Sequence, residues 1–275
     1  MIATLLTEAI AKLPLPFKLF FMIARDVSSL QHPIVKHLVK LRDDRKYRTS
    51  ARAALISGIK LVSELSASHV FKTVLITQGY SPSIALKAEQ TLIVTEEIMK
   101  KVTSLQNPEP LAAEIPLPAP SELTGCHPLL ILDQITDPGN LGNLLRTALA
   151  LGWEGAFLTP GTTDPFNDKA LRAAKGATFK LKLRQGSYEE LFELVRASGL
   201  KLLIADAKGS PAHPAPLQQP IALVLGNEAH GVDADLKNNG TAVAIPMSRE
   251  MESLNVSAAG AILMFQLQGG LHGKR

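Results

Sequence analysis

The chain has 275 residues, 46% of them hydrophobic, one cysteine and a formal net charge of +4 at pH 7. This length allows two domains of moderate size, each with a buried core. The single cysteine, Cys126, excludes an internal disulfide and argues against a zinc cluster, so we expect no metal site and a reducing compartment, the cytoplasm. The apolar runs are shorter than the roughly 18 residues that a membrane-spanning helix needs, so we expect no membrane partner.

The first 25 residues are apolar and carry little charge. Pro14 and Pro16 interrupt any single helix in this segment. We predict an N-terminal extension without fixed structure over residues 1–25. It is either a targeting segment or sequence upstream of a natural start at Met22, and the second interpretation is favoured because organised patterning begins only after Asp26.

Residues 26–106 alternate between helical and strand periodicity, which predicts a small α/β domain. In its first helix Ile34, Leu38 and Leu41 share one face, and Pro33 suits the first turn. The predicted elements in chain order are a helix at 32–48, a strand at 53–58, a helix at 59–68, a strand at 70–79, a helix at 81–90, a strand at 91–96 and a helix at 96–105.

Positive charge is concentrated near the start of this domain. Residues 32–60 contain eight lysines and arginines against two aspartates. Such a run is typical either of a surface that binds a polyanion or of a solvated helix face. The candidate RNA-binding residues in this run are Arg42, Arg45, Lys46 and Arg48.

A proline-rich stretch follows, with five prolines between residues 108 and 120. Proline at this density favours extended, semi-rigid chain. We therefore predict a linker over residues 107–127 that separates the two domains.

Residues 128–275 form the second predicted domain, again with alternating strands and helices, as in a parallel α/β fold. It lacks GxGxxG, GxxxxGK[ST] and GxSxG, which argues against a dinucleotide site, a phosphate loop and a hydrolase nucleophile. We predict strands at 128–135, 155–161, 177–183, 201–209, 221–227 and 241–247, helices at 140–152, 188–199 and 253–270, and a loop followed by a helix over 164–176.

Three phrases in this domain contain candidate functional residues. In DPGNLGNLLR, Asn140 is expected to cap the helix, and Arg146 follows on it as a permanent cation suited to phosphate or carboxylate. The alternative is a capped helix with a surface arginine. In LRAAKGATFKL, Arg172 and Lys175 share a helical face that is suited either to a nucleic-acid backbone or to solvent.

The third phrase consists of IALVLGNEAHGV and, after a spacer, IPMSREMESLNVSAAG. Polar residues stand where its strands end: Asn227 and Glu228 after the first, then Ser253 and Asn255 before a helix. A packed core does not need such residues there, whereas a ligand site at the carboxyl ends of parallel strands does.

These phrases, in this order, resemble the SpoU (TrmH) family of S-adenosylmethionine-dependent RNA ribose methyltransferases, and the likeness spans roughly residues 128 to 270. The basic segment before them is more loosely similar to the ribosomal-protein-like substrate-binding domain of many such enzymes. The resemblance implies a SPOUT-type α/β domain with a deep C-terminal trefoil knot, behind a small N-terminal α/β domain. It also implies a homodimer with the active site at the subunit interface.

The implied reaction is methyl transfer to a ribose 2′-hydroxyl of structured RNA, most simply 23S-type ribosomal RNA. The alternatives are transfer RNA, methylation of a base, and a non-catalytic RNA-binding protein. S-adenosylmethionine would bind in a bent form at residues matched to the family's pocket, namely Leu225, Gly226, Asn227, Ile245, Met247 and Leu254. The matched catalytic residues are Asn140, Arg146, Glu228, Ser253 and Asn255.

Arg146 is a poor general base because the pKa of an arginine lies above about 12. We expect it instead to position a phosphate and to stabilise the developing alkoxide. Glu228 is either a proton acceptor or a structural residue. Asn140, Ser253 and Asn255 would orient the ribose and the loops.

Overall fold

The structure, a computed structural model, describes residues 24–213, 219–248, 250 and 253–268. It divides the chain into two compact units, Met1–Leu117 and Pro118–Arg275. Nearly all of the N-terminal extension predicted for residues 1–25 lies outside the described residues. Within the described ranges, no helix is both long and apolar enough to cross a bilayer.

The first unit is built on a five-stranded mixed sheet with the order β1-β4-β3-β5-β2. Strands β1, β4 and β3 are parallel, whereas β5 runs antiparallel to both β3 and β2. Its elements are β1 (Arg25–Val27), α1 (Pro33–Asp43), α2 (Arg45–Ala51), β2 (Ala53–Ser57), α3 (Ile59–Ser66), β3 (Phe71–Thr77), β4 (Ala88–Val94), α4 (Glu96–Thr103) and β5 (Leu111–Pro116).

The helix predicted at 32–48 is two helices separated by Asp44. Leu38 and Leu41 are buried as predicted, and Val35 joins them in the core. Asp44 has an extended backbone, with φ at −115°, and its side chain accepts a hydrogen bond from the Tyr47 amide. An aspartate in this conformation ends the first helix and caps the second, so one periodic run gives two elements.

Two predictions in this unit are wrong. Residues 81–90 do not form a helix, and their last residues belong instead to β4, parallel to β3. The segment predicted as a linker, 107–127, contains β5, a buried strand between β3 and β2. Proline precedes this strand and occupies its last position, where few ladder hydrogen bonds are lost. Because this strand belongs to the first sheet, the unit boundary lies after it, at Leu117.

The second unit is a six-stranded parallel sheet with the order β11-β9-β10-β6-β7-β8. Its elements are β6 (Leu129–Leu132), α5 (Pro138–Ala150), β7 (Gly155–Leu158), α6 (Asp168–Ala174), β8 (Lys182–Gln185), α7 (Tyr188–Ala197), β9 (Lys201–Pro211), β10 (Ile221–Leu225), α8 (Ala234–Asn238), β11 (Thr241–Ala244) and α9 (Val256–Leu267). A 3₁₀ turn occupies the start of the strand predicted at 177–183, and α8 has no counterpart among the predicted elements.

The positions of β6 and β10 in this sheet bring together the segments that carry the candidate functional residues. Both strands are buried throughout, as their continuous apolar runs predict. They are parallel neighbours, so their carboxyl ends meet at one edge, where the Asp133 amide donates to the Leu225 carbonyl over 2.8 Å. Strands β7 and β8 lie on one side of β6, whereas β10, β9 and β11 lie on the other. This edge is therefore a topological switch point of the kind that binds ligands in open α/β sheets.

Helix α9 packs closely on α5 and β10 because residue 260 has no side chain. A Cβ added to Gly260 would overlap side-chain atoms of Leu144 and Leu225. This close approach brings the residues before α9 next to the carboxyl end of β10. The trefoil knot that the resemblance implies involves this part of the chain, some of which lies outside the described residues, and it stays a prediction.

Candidate active site

A cavity of about 370 Å³ opens at the carboxyl ends of β9, β10 and β11 and is bounded on its other side by the start of α9. This volume lies within the roughly 300–1,000 Å³ that is usual for small-molecule sites. Its walls include all six of the predicted cofactor residues, Leu225, Gly226, Asn227, Ile245, Met247 and Leu254. Three of the five predicted catalytic residues, Glu228, Ser253 and Asn255, also line it.

The turn after β10 is tight and leaves no room for a side chain at its first residue. A Cβ on Gly226 would overlap the backbone of Gly231 and Val232. Asn227 and Gly231 exchange two backbone hydrogen bonds, of 3.1 and 2.8 Å. The side-chain amide of Asn227 also donates to the Gln134 carbonyl, at 2.9 Å, which ties the turn to the residues after β6. The glycine–asparagine pair therefore determines the shape of this cavity wall.

Three predicted catalytic side chains meet although they are far apart in the chain. The amide nitrogen of Asn140 donates to the carboxylate of Glu228, 88 residues later. The amide nitrogen of Asn255 donates to the side-chain oxygen of Asn140 over 3.1 Å, across 115 residues. We call Asn140, Glu228 and Asn255 the amide–carboxylate cluster. It joins α5, the turn after β10 and the start of α9 at the mouth of the cavity.

The cap of α5 differs from the prediction. The side chain of Asp137, and not that of Asn140, caps the helix, since it accepts a hydrogen bond of 2.7 Å from the Asn140 amide. An aspartate three residues earlier reaches the free amides better than a residue already inside the helix. The side chain of Asn140 is therefore available for Glu228 and Asn255. Asn255 itself caps α9, with its side-chain oxygen accepting from the Ser257 amide at 2.9 Å.

The structure places Arg146 outside the cavity walls, on the exposed surface of α5. It lies one helical turn beyond Gly142, whose missing side chain lets α5 pack directly on the backbone of α6. With the described residues its guanidinium makes neither a hydrogen bond nor an ion pair. An unengaged, permanently charged group on the helix that also carries Asn140 is suited to an anionic ligand from solution.

A buried aspartate that sequence reasoning missed supports the same edge of the sheet. Asp133 is fully buried directly after β6 and accepts three hydrogen bonds, from the hydroxyls of Tyr188 (2.7 Å) and Thr159 (2.8 Å) and from the backbone amide of Asp233 (2.8 Å). The last bond holds the end of the loop that begins at Gly226. An acidic residue at the end of an apolar strand was the available signal in the sequence.

Burial, and then the hydrogen bond to Asp133, raise the pKa of Tyr188 above its usual value of 10.0. A raised pKa in the folded state means that the stabilisation is complete below pH 10 and is lost as the pH rises through the folded value. Tyr188→Phe is expected to lower the free energy of unfolding by about 1–2 kcal/mol at pH 7. Urea titrations from pH 7 to 11 should show this difference shrinking above pH 10, and a constant difference would contradict the assignment.

Of the four basic residues predicted to bind RNA in the first unit, two make structural contacts with backbone carbonyls. Arg48 is only 2% exposed, and its guanidinium donates to the carbonyls of Leu41 and Arg42, both at 2.7 Å. Arg42 donates to the carbonyls of Lys101 and Val102 at the end of α4. Both guanidinium groups satisfy carbonyls near helix ends, which have no partners within the helix. The burial of Arg48 contradicts its predicted contact with RNA, whereas the RNA-binding prediction for Arg42 stays a prediction.

Arg45 and Lys46 are exposed, so they offer a comparison with Arg48. Arg48→Met is expected to destabilise the first unit by about 2–3 kcal/mol, because it removes charged hydrogen bonds to buried carbonyls. Arg45→Met should leave stability within about 0.5 kcal/mol, as surface changes usually do, and weaken RNA binding instead. Chemical denaturation and filter binding of RNA measure the two effects, and equal destabilisation by both variants would contradict this division.

The remaining basic pair does not share a helical face as predicted. Arg172 lies on α6 and forms an ion pair with Asp168, one turn earlier. The helix ends at Ala174, and Lys175 follows it in the left-handed conformation, with φ at 49°. Lys175 is exposed and is not part of the helical face that carries Arg172. Of the two, only Lys175 presents a charge without an ion pair to the described residues.

Comparison with known proteins agrees with both units. The family model of the SpoU rRNA Methylase family matches residues 127–265, and the MRM3-like substrate binding domain matches residues 32–113. The first of these matches covers half of the chain. The chain belongs to the SpoU rRNA methylase family. The predicted α/β architecture and the predicted family are thereby confirmed.

Known rRNA methyltransferases resemble this chain, some along nearly its whole length and others over about half of it. The 23S rRNA (guanosine(2553)-2′-O)-methyltransferase RlmP of Bacillus subtilis is 33% identical over 249 residues, which is 89% of this chain and 100% of that protein. The 23S rRNA (adenosine(1067)-2′-O)-methyltransferase of Streptomyces azureus is 33% identical over 50% of this chain and 53% of its own. A crystal structure of an AdoMet-bound rRNA methyltransferase from Sinorhizobium meliloti has 29% identity and a TM-score of 0.79, covering 88% of this chain and 97% of that one.

Proposed function

We propose that this protein transfers the methyl group of S-adenosylmethionine to a ribose 2′-hydroxyl of structured RNA, and that its substrate is 23S-type ribosomal RNA. The observation that carries the proposal is the amide–carboxylate cluster at the mouth of a cofactor-sized cavity. The names of the Bacillus and Streptomyces relatives specify ribose methylation of 23S rRNA, which supports the choice of substrate.

The cavity fits S-adenosylmethionine in size and in the character of its walls. It is lined by apolar side chains, by a few polar and acidic ones, and by backbone at Gly226, where any side chain would fill the turn. The residues that would hold the cofactor are the six predicted ones, from Leu225 to Leu254. The bound cofactor supplies a methyl group already activated on a sulfonium, so what is left to the protein is alignment and management of the hydroxyl proton.

The protein's own part in the reaction follows from the cluster. Asn140 is held by Glu228 on one side and by Asn255 on the other, so its amide has a fixed orientation in which to meet a ribose. Within the cluster Glu228 alone has an ionised form that accepts a proton, and we assign it the 2′-hydroxyl proton. Ser253 lines the cavity beside Asn255 and would orient the incoming nucleotide.

Arg146 completes the site from the surface of α5. Its exposed guanidinium would pair with the phosphate next to the target ribose and stabilise the alkoxide that develops on the 2′-oxygen. Further RNA contacts would come from exposed basic residues, namely Arg45, Lys46 and Lys175. Binding through such phosphate contacts is expected to weaken steeply as the salt concentration rises.

We also propose that the protein acts as a homodimer in the cytoplasm. Helix α9 is apolar on all sides, a pattern expected of a helix that is buried all round. Its Ile262 and Phe265 are nevertheless 39% and 55% exposed in the single chain, and Leu254 just before it is 40% exposed. A second copy seated on this surface would cover it. Sedimentation equilibrium of the native protein and of Phe265→Glu should give a dimer and a monomer, respectively.

Methyl transfer to defined RNAs tests the proposed function. The protein is incubated with S-adenosylmethionine labelled in its methyl group and with 23S rRNA or transfer RNA from a strain that lacks the protein. We expect label in 23S rRNA, and alkaline hydrolysis should leave one phosphodiester bond resistant, as a 2′-O-methyl group requires. Label in transfer RNA alone would identify transfer RNA as the substrate, and label in a base would show base methylation instead. The absence of label in any RNA would refute the proposed function.

A further inference from the structure

The described walls of the cofactor cavity are acidic. Among its described lining residues, Asp206 and Glu228 carry negative charge and none is a lysine, arginine or histidine. Glu228 already accepts the hydrogen bond from Asn140. Asp206 lies outside the amide–carboxylate cluster and has no role in the reaction as proposed above.

The backbone places Asp206 away from the regular sheet. Strand β9 pairs with β10 only as far as Ile204. Its pairing with β11 breaks at the same point, because Ala242 is opposite Ile204 whereas Val243 is opposite Ser210. The residues between these pairs bulge out at the carboxyl edge, where Asp206 and its two alanine neighbours form part of the cavity wall.

The carboxylate of Asp206 is only loosely compensated. One oxygen accepts a hydrogen bond of 2.9 Å from the Lys208 amide. The other lies 3.9 Å from Nζ of Lys237, too far for a hydrogen bond, and the two side chains are 30% and 42% exposed. A half-buried carboxylate with one exposed lysine nearby keeps much of its negative potential inside the cavity.

We propose that Asp206 is a specificity-determining residue that recognises the positive charge of the methyl donor and so favours the donor over the reaction product. This inference rests on the proposed function. In the transfer, the ribose oxygen takes the methyl group, the electron pair of the carbon–sulfur bond stays on sulfur, and the hydroxyl proton passes to a base. The sulfonium thereby becomes a neutral sulfide.

The change in charge has a consequence for turnover. Before transfer the carboxylate attracts the bound ligand, and after transfer that attraction is gone, although the rest of the ligand is unchanged. An interaction across a partly solvated cavity of this kind is worth about a tenfold difference in affinity. Asp206 therefore favours binding of the donor and release of S-adenosylhomocysteine through one electrostatic contact.

Calorimetric binding to the full-length protein tests the inference with three ligands that share the same nucleoside and amino-acid parts. They are S-adenosylmethionine and sinefungin, which carry a cationic centre at the sulfur position, and S-adenosylhomocysteine, which is neutral there. Asp206→Asn is expected to weaken the two cationic ligands about tenfold and the neutral one less than twofold. Lys237→Met, which removes the neighbouring ammonium, should strengthen the cationic ligands selectively and supplies a second variant if Asp206→Asn folds poorly.

Asp235→Asn is the matched control, because Asp235 is an exposed acid two residues before Lys237 in the chain and does not line the cavity. It should change none of the three affinities. Equal weakening of all three ligands by Asp206→Asn would overturn the inference and assign the carboxylate to a shared part of the ligand, such as the ribose. Failure of the unmodified protein to bind any of the three would instead refute the proposed function, and the inference with it.

Discussion

Replacing Arg146 with alanine is expected to lower kcat/KM for RNA methylation by about 100-fold to 1,000-fold, the usual loss when a group that stabilises a developing oxyanion is removed. S-adenosylmethionine affinity should change less than twofold, because Arg146 does not line the cofactor cavity. The thermal midpoint should also stay constant, since the side chain is exposed and makes no ion pair with the described residues. Single-turnover methylation and calorimetry measure the two effects separately.

Two further variants sharpen this prediction. Arg146→Lys keeps the positive charge but loses the planar fork that binds a phosphate through two parallel hydrogen bonds, so it should recover only part of the activity. Arg196→Ala removes an exposed arginine on α7, away from the cavity, and should leave kcat/KM unchanged. Near-normal turnover of Arg146→Ala would show that the arginine has no part in the reaction.

Replacing Gly226 with alanine is expected to weaken S-adenosylmethionine binding by at least about 100-fold. The added methyl group would overlap the backbone of Gly231 and Val232, and backbone atoms in a packed turn cannot move aside as the end of a flexible side chain can. The turn that forms one wall of the cavity must therefore change shape. Calorimetric titration measures the loss, and circular dichroism tests whether the second unit remains folded.

Gly199 is the control for this substitution. It lies in the same unit and has φ at +58°, and a Cβ there would meet no atom within 4 Å. Gly199→Ala should therefore cost about 1 kcal/mol of stability through backbone strain and leave cofactor affinity unchanged. Unaltered affinity of Gly226→Ala would mean that the cofactor does not occupy this cavity.

Local patterns in the sequence were reliable where the signal lies in neighbouring residues. The continuous apolar runs at 128–135 and 221–227 predicted buried parallel strands, and both are central strands of the second sheet. The polar residues that follow the second run mark a real cavity wall. These predictions succeeded because burial of a strand on both faces and the geometry of the turn after it depend on residues close together in the chain.

Predictions about single polar side chains were less reliable. Arg48 and Arg45 are alike in the sequence, three residues apart in one basic run, yet one is buried against helix carbonyls and the other faces solvent. A long flexible side chain reaches whatever acceptors the folded chain brings near it, and periodicity carries no information about those acceptors. The density of prolines also led to a wrong prediction, that of a linker where β5 lies, because a strand between two partners tolerates proline at its end.

The sequence by itself determined the family, the two α/β units, the position of the turn at Gly226 that lines the cavity and the residue types available for the chemistry. Each of these depends on short segments whose periodicity or residue order is visible locally. Only the tertiary structure decided that Asn140 meets both Glu228 and Asn255, that Asp133 accepts a hydrogen bond from the Asp233 amide, and that Asp206 adds charge to the cavity. These contacts join segments up to 115 residues apart, and parallel strand order, which no local pattern encodes, brings them to one edge.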